Sequence, residues 1–96
     1  MTVRILPSAM KDLEEGFRYY EDQGEGLGAY FRESLFSDIE SLKVYAGIHR
    51  TVFGCHRCLS KRFPWFIYYV RDAEMVFVKA ILDCRRDPAK TRGRLT

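Results

Sequence analysis

The hydrophobic period of this chain changes once, and that change limits its fold more than any other feature. Between residues 9 and 42 apolar side chains recur every three or four positions, as Ala9, Leu13, Phe17 and Tyr20 and then as Leu27, Phe31, Leu35, Ile39 and Leu42. Such spacing lines one face of an α-helix. Between residues 56 and 82 the period falls to two, in "HRCLSKRF" (56–63), "WFIYYV" (65–70) and "MVFVKAIL" (75–82), where aromatic and β-branched residues gather. A chain that is helical first and stranded afterwards must bury its helices on a sheet.

The boundaries follow from local chemistry. "TVRIL" alternates Val3 and Ile5 with Thr2 and Arg4, which predicts a short first strand ended by Pro7. Ser8 is the expected N-cap of a first helix over about 8–22, with Asp12, Glu14 and Glu15 near the positive end of its dipole. The three glycines of "DQGEGLG" (22–28) predict a tight connection to a second, antiparallel helix. Neither helix is long enough to be stable alone, so each needs a surface to cover. The three final runs predict an antiparallel meander, with "RDAE" (71–74) as a turn and Pro64 at a strand start.

The expected fold is therefore α+β, in the order β-α-α-β-β-β, with a helical hairpin on one face of a small, mainly antiparallel sheet. Ninety-six residues make one domain over 1–96 the expectation, since so short a chain buries one core. Strict alternation puts Val76, Val78 and Ala80 on one face. It puts Arg57, Leu59 and Lys61 on one side of the 56–63 run, and His56, Cys58, Ser60 and Arg62 on the other. Trp65, Ile67, Tyr69, Phe77 and Ile81 cannot all meet the helices, which leaves apolar surface for a partner or the tail. In that tail, "DCRRDPAKTRGRLT", Pro88 and Gly93 argue against a long final helix, and the basic composition suits ordering on a partner.

No apolar run approaches the roughly 18 residues of a membrane span, and the first residues lack the pattern of a signal peptide. A soluble, cytoplasmic protein is the expectation. The odd count of three cysteines then favours free thiols over a disulfide framework. Charge is uneven: residues 1–48 carry five basic and nine acidic side chains, a net −4, whereas residues 49–96 carry eleven and four, a net +7. The second half is suited to nucleic acid or to an acidic protein partner.

"GCHRCLSKRF" (54–63) holds Cys55, His56 and Cys58 beside Arg57, Lys61 and Arg62. A structural zinc ion takes four ligands, and this chain lacks a second ligand pair. Three positions apart on a strand, Cys55 and Cys58 also face opposite sides. A redox Cys-x-x-Cys is placed at a helix N-terminus, not in a strand, and a Cys–His nucleophile would lack an orienting third group. His49 and His56 read as hydrogen-bonded surface histidines. No metal or cofactor is called for. The basic reading remains: Arg57, Lys61 and Arg62, with Arg85 and Arg86 after the last strand, offer paired donors and point charges to an oxyanion.

The stretches "ILPSAMKDLEEGFRYYE", "KRFPWFIYYV" and "VKAILDCRRDPAKTRGR" together resemble the RelE/ParE family of toxins from type II toxin–antitoxin pairs, over essentially the whole chain. The resemblance implies a growth-inhibiting toxin neutralised by a cognate antitoxin, and it divides at the target. ParE-like members poison DNA gyrase by binding. RelE-like members are metal-independent endonucleases that cut mRNA on the ribosome, which would give Arg57, Lys61, Arg62 and Arg85 catalytic work. No tyrosine or histidine follows Arg86, and adjacent Lys61 and Arg62 would point to opposite faces. "LDCRRDPAK" is closer to the ParE, plasmid-stabilisation branch. The expectation is therefore a non-enzymatic gyrase toxin binding through Arg57, Lys61, Arg62, Arg85 and Arg86, with the RelE-like nuclease as the alternative and an inactive assembly partner as a third reading.

Overall fold

The computed structural model describes residues 1–96. Along the chain run β1 (Thr2–Ile5), α1 (Pro7–Glu21), α2 (Leu27–Tyr45), β2 (Thr51–Val52), β3 (Cys55–Leu59), β4 (Trp65–Asp72), β5 (Met75–Asp83) and α3 (Pro88–Leu95). The five strands form one sheet in the order β1-β5-β4-β3-β2, antiparallel except where β1 pairs with β5. The helical hairpin covers one face, as its stripes predict. Two elements go beyond the expected order: β2 and α3. The two-residue Phe53–Gly54 connection between β2 and β3 has positive φ at both positions, 53° and 79°, the turn geometry that suits the twist of paired strands.

The helix-facing core joins Leu13 and Tyr20 of α1, Phe31, Leu35, Ile39 and Leu42 of α2, and Ile67, Tyr69, Val76, Val78 and Ile81 of the sheet. At one end Tyr20, Phe31, Phe63 and Trp65 pack edge to face or tilted at 4.8–6.4 Å between ring centres. The Trp65 indole N–H donates to the Tyr20 hydroxyl at 3.0 Å. Two helical glycines let these layers close. A Cβ on Gly16 would stand 2.6 Å from the Phe31 ring, and one on Gly28 would stand 2.6 Å from the Phe17 carbonyl oxygen. Gly28 also gives its amide to the Glu21 carboxylate, which accepts from Gly26 as well and so caps the positive end of α2.

Several expectations need correction. Ser8 is not the N-cap: Leu6 occupies that position and Pro7 opens α1, where its missing N–H costs nothing. The Ser8 hydroxyl donates instead to the Lys79 carbonyl. No acidic residue lies in the first turn, and Asp12 turns inward to accept the Ile81 amide at 3.0 Å. The first meander strand ends at Leu59 and does not reach Phe63. Asp38 of α2 accepts from the Ser60 hydroxyl at 2.7 Å and the Lys61 amide at 3.3 Å, which bends the chain away from the ladder. Ala80 leaves the face of Val76 and Val78 because Tyr68 pairs with Ala80 while Tyr69 pairs with Val78, so Lys79 has no opposite residue. This bulge reverses the alternation.

The opposite face carries Cys55, Tyr68, Ala80 and Leu82, edged by Phe53, Phe66 and Val70. The tail covers it. Asp87 caps α3 by accepting the Ala89 amide, and Leu95 and Thr91 are buried beneath the helix. Arg94 then reaches Asp12 through two bonds of 2.9 and 2.8 Å, so the tail is ordered by the chain's own α1. No helix is long and apolar enough to cross a membrane.

Candidate functional site

The five basic residues singled out from the sequence do not form one cluster. Lys61 and Arg62 stand exposed in the β3–β4 loop, so the rule that neighbours on a strand oppose each other does not apply to them. Lys61 borders a depression on the helix side of the sheet with Asp38, Tyr45, His49 and Cys58. Arg57 is on the opposite side, across from Tyr68 in the β3–β4 register. Its guanidinium sits 4.2 Å from the centre of the Phe66 ring, a cation–π contact.

The turn after β5 divides the other two. Arg85 is exposed and tied to Asp83, to whose carboxylate it donates from Nε at 3.0 Å and from its terminal nitrogen at 2.6 Å. Those bonds hold the Asp83 carboxyl below its usual range, and Arg85 is correspondingly spent. Arg86 is half-buried and its Nε is shielded from solvent without a hydrogen-bond partner. Arg57 and Arg86 line one concavity of about 80 Å³, with Tyr68, Cys84 and Thr91. Arg85 shares with Arg86 a shallower surface hollow beside Glu15, Tyr19 and Trp65. Tyr68 and Asp83 were not singled out from the sequence. The i, i+2 spacing of Asp83 and Arg85 in "DCRR" was the available signal for one of them.

The cysteines sort as strand geometry predicts: Cys58 joins the helix-facing core and Cys55 the opposite cluster. All three are free, and burial raises each thiol above its ordinary pKa, so none is an activated nucleophile. The histidines are more than surface groups. Tyr69, fully buried, accepts the Gly47 amide at 2.9 Å and stands 2.5 Å from His49 Nδ1. His56 stacks on the Tyr69 ring and places its Nδ1 2.7 Å from the His49 carbonyl. This trio pins the segment between α2 and β2 to the sheet.

Burial, then the neighbouring His56, lowers the His49 pKa below its ordinary value near 6.5. The folded protein thus binds fewer protons at His49 than the unfolded chain does. Its stabilising contribution is complete above about pH 6.5 and is lost as pH falls through that value toward the depressed one. Urea melts of the wild type should lose stability over this interval. In His49→Gln the dependence should flatten while neutral-pH stability falls by about 1 kcal/mol for the Tyr69 bond. An unchanged pH slope in the variant would assign the effect to other groups.

The family model for the ParE toxin of the type II toxin–antitoxin system, parDE, matches residues 3–88. Among solved structures, a chain of the chromosomal ParDE TA system from P. aeruginosa superposes with a TM-score of 0.78 at 17% identity, covering 86% of this chain and 95% of that one. A search of the curated proteins finds no match. The structural likeness speaks for the fold. The matched stretch runs from β1 to the first residue of α3, nearly the whole chain, and so this chain belongs to the family of ParE toxins of type II toxin–antitoxin systems.

Proposed function

We infer that this toxin acts by binding DNA gyrase rather than by cutting RNA, and that a cognate antitoxin silences it. The observation that carries the inference is the separation of Lys61 from the arginine concavity. A metal-independent ribonuclease needs a base at the 2′-hydroxyl together with cationic donors at the same phosphate. Lys61 opens beside His49 on the helix side of the sheet, whereas Arg57 and Arg86 open on the other, where the lining offers Tyr68 and Cys84, both with raised pKa values, and an Asp83 carboxylate engaged by Arg85. The RelE-like alternative retains the pairing of Arg57 with Arg86.

Charge and shape also suggest how an antitoxin engages. The opposite sheet face, whose apolar surface was expected to meet a partner or the tail, is already covered by α3. A groove of about 740 Å³ along α1 and α2 remains open, with Met10, Phe17 and Phe36 exposing apolar surface between Lys11, Arg18 and Arg32. An apolar segment bearing acidic residues fits that chemistry.

The purified protein is expected to inhibit gyrase supercoiling and to leave messenger RNA intact on translating ribosomes, and its expression without an antitoxin is expected to arrest growth. Codon-linked cuts that disappear in Lys61→Ala would overturn the reading in favour of the nuclease. Harmless expression would leave only the assembly-partner role.

A further inference from the structure

We propose that the concavity between β3, β4, the turn after β5 and α3 is a binding site for a single phosphate group, held by Arg57 and Arg86. Four ion pairs exist in the molecule, and they engage Arg18, Lys43, Arg85 and Arg94. Arg57 and Arg86 have no carboxylate partner, yet both are half-buried and both line the same small space. Two like charges gathered in a partly dehydrated space repel each other, and an anion between them removes that cost.

The one carboxylate on the lining of this concavity is already committed. Asp83 borders the concavity, but Arg85 occupies both of its oxygens. Arg57 is held in place by the Phe66 ring, centred 4.2 Å from its guanidinium carbon. Arg86 adds the independent sign, a guanidinium Nε buried without any acceptor. Buried polar groups without partners are rare in folded proteins, and an anion in the concavity would give this guanidinium an acceptor.

The donors indicate which anion. The residues with donor groups on its lining come from four elements: Arg57 of β3, Tyr68 of β4, Arg86 of the turn after β5, and Thr91 of α3. Donor-bearing residues on four different elements suit a tetrahedral oxyanion better than a planar carboxylate. A volume of about 80 Å³ admits one such group and no base or sugar, so any nucleotide would remain outside. Lys61 lines a different depression, and the one carboxylate on the lining, Asp83, is engaged by Arg85, so the site is suited to binding rather than to cleavage.

The test is a titration of the full chain with inorganic phosphate at fixed ionic strength, followed by NMR of the arginine side chains and by thermal melting. Phosphate is expected to shift the Arg57 and Arg86 signals and to raise the melting temperature, and chloride is not. Arg57→Gln and Arg86→Gln should each weaken binding about tenfold or more, Arg86→Lys should weaken it less, and the exposed Arg4→Gln should leave it unchanged. Circular dichroism checks that each variant is folded, and the side-chain shifts in Arg86→Lys keep the test decisive if a glutamine variant unfolds. Equal effects of phosphate and chloride, or undiminished binding in Arg86→Gln, would overturn the proposal. A short single-stranded oligonucleotide identifies the source. If phosphate displaces it and Arg86→Gln weakens it, the site takes backbone phosphates; if it does not compete, the site takes free phosphate or a terminal phosphoryl group.

Discussion

Asp12→Ala should lower the unfolding free energy by about 3 kcal/mol and release α3 from the sheet. One carboxylate, 5% exposed, serves two elements: it accepts the Ile81 amide at 3.0 Å and receives both terminal nitrogens of Arg94 at 2.9 and 2.8 Å. β1 ends its pairing with β5 at Val78, so the outer edge of β5 beyond that point has no strand beside it. Asp12 takes the place of one. Truncation leaves a buried amide without an acceptor, which costs about 1–3 kcal/mol, and an arginine without its counter-ion. Arg94→Met removes only the second interaction and should cost about 1 kcal/mol, since the Arg94 side chain is 31% exposed and solvent screens the pair. Urea denaturation measures both values. Amide exchange in residues 88–95 should accelerate in both variants. Equal losses would show that the Ile81 bond contributes nothing.

Trp65→Ala should cost about 3–5 kcal/mol and can unfold a domain of this size. The indole touches Phe31 at 5.0 Å between ring centres, lies against the bare backbone of Gly16, and bonds the Tyr20 hydroxyl. Its removal opens a cavity in a cluster whose members come from α1, α2, the β3–β4 loop and β4, so no one element can collapse to fill it. Trp65→Phe keeps most of the volume and loses the Tyr20 bond, for an expected cost of about 1 kcal/mol. Tryptophan fluorescence is lost in both variants, so circular dichroism is the suitable probe. A loss below about 1 kcal/mol for the alanine variant would mean that the helices close over the gap.

Both predictions concern contacts between distant parts of the chain, and that is where sequence reading was weakest. The stripes of α2 were legible because Phe31, Leu35, Ile39 and Leu42 repeat on a local period, and all four are buried. The end of β3 was not, because it is set by Asp38, 22 residues from Ser60. The face of Ala80 was misread because the bulge at Lys79 belongs to the pairing with β4. Glu21 belongs to α1 by position, yet it caps the next helix, which the period of α1 does not signal. At the candidate site the basic residues were identifiable by type, but their grouping depended on where a strand stops and how a turn folds.

The sequence by itself determined the class of the fold, the helical hairpin and the excess of positive charge in the second half, because periodicity and composition act residue by residue. Tertiary structure alone decided that Lys61 stands apart from Arg57, that Asp83 spends Arg85, and that Arg86 stays half-buried without a carboxylate partner. The physical reason is that a charged side chain takes its properties from the partners that the folded chain brings to it, and most of those partners lie on other elements.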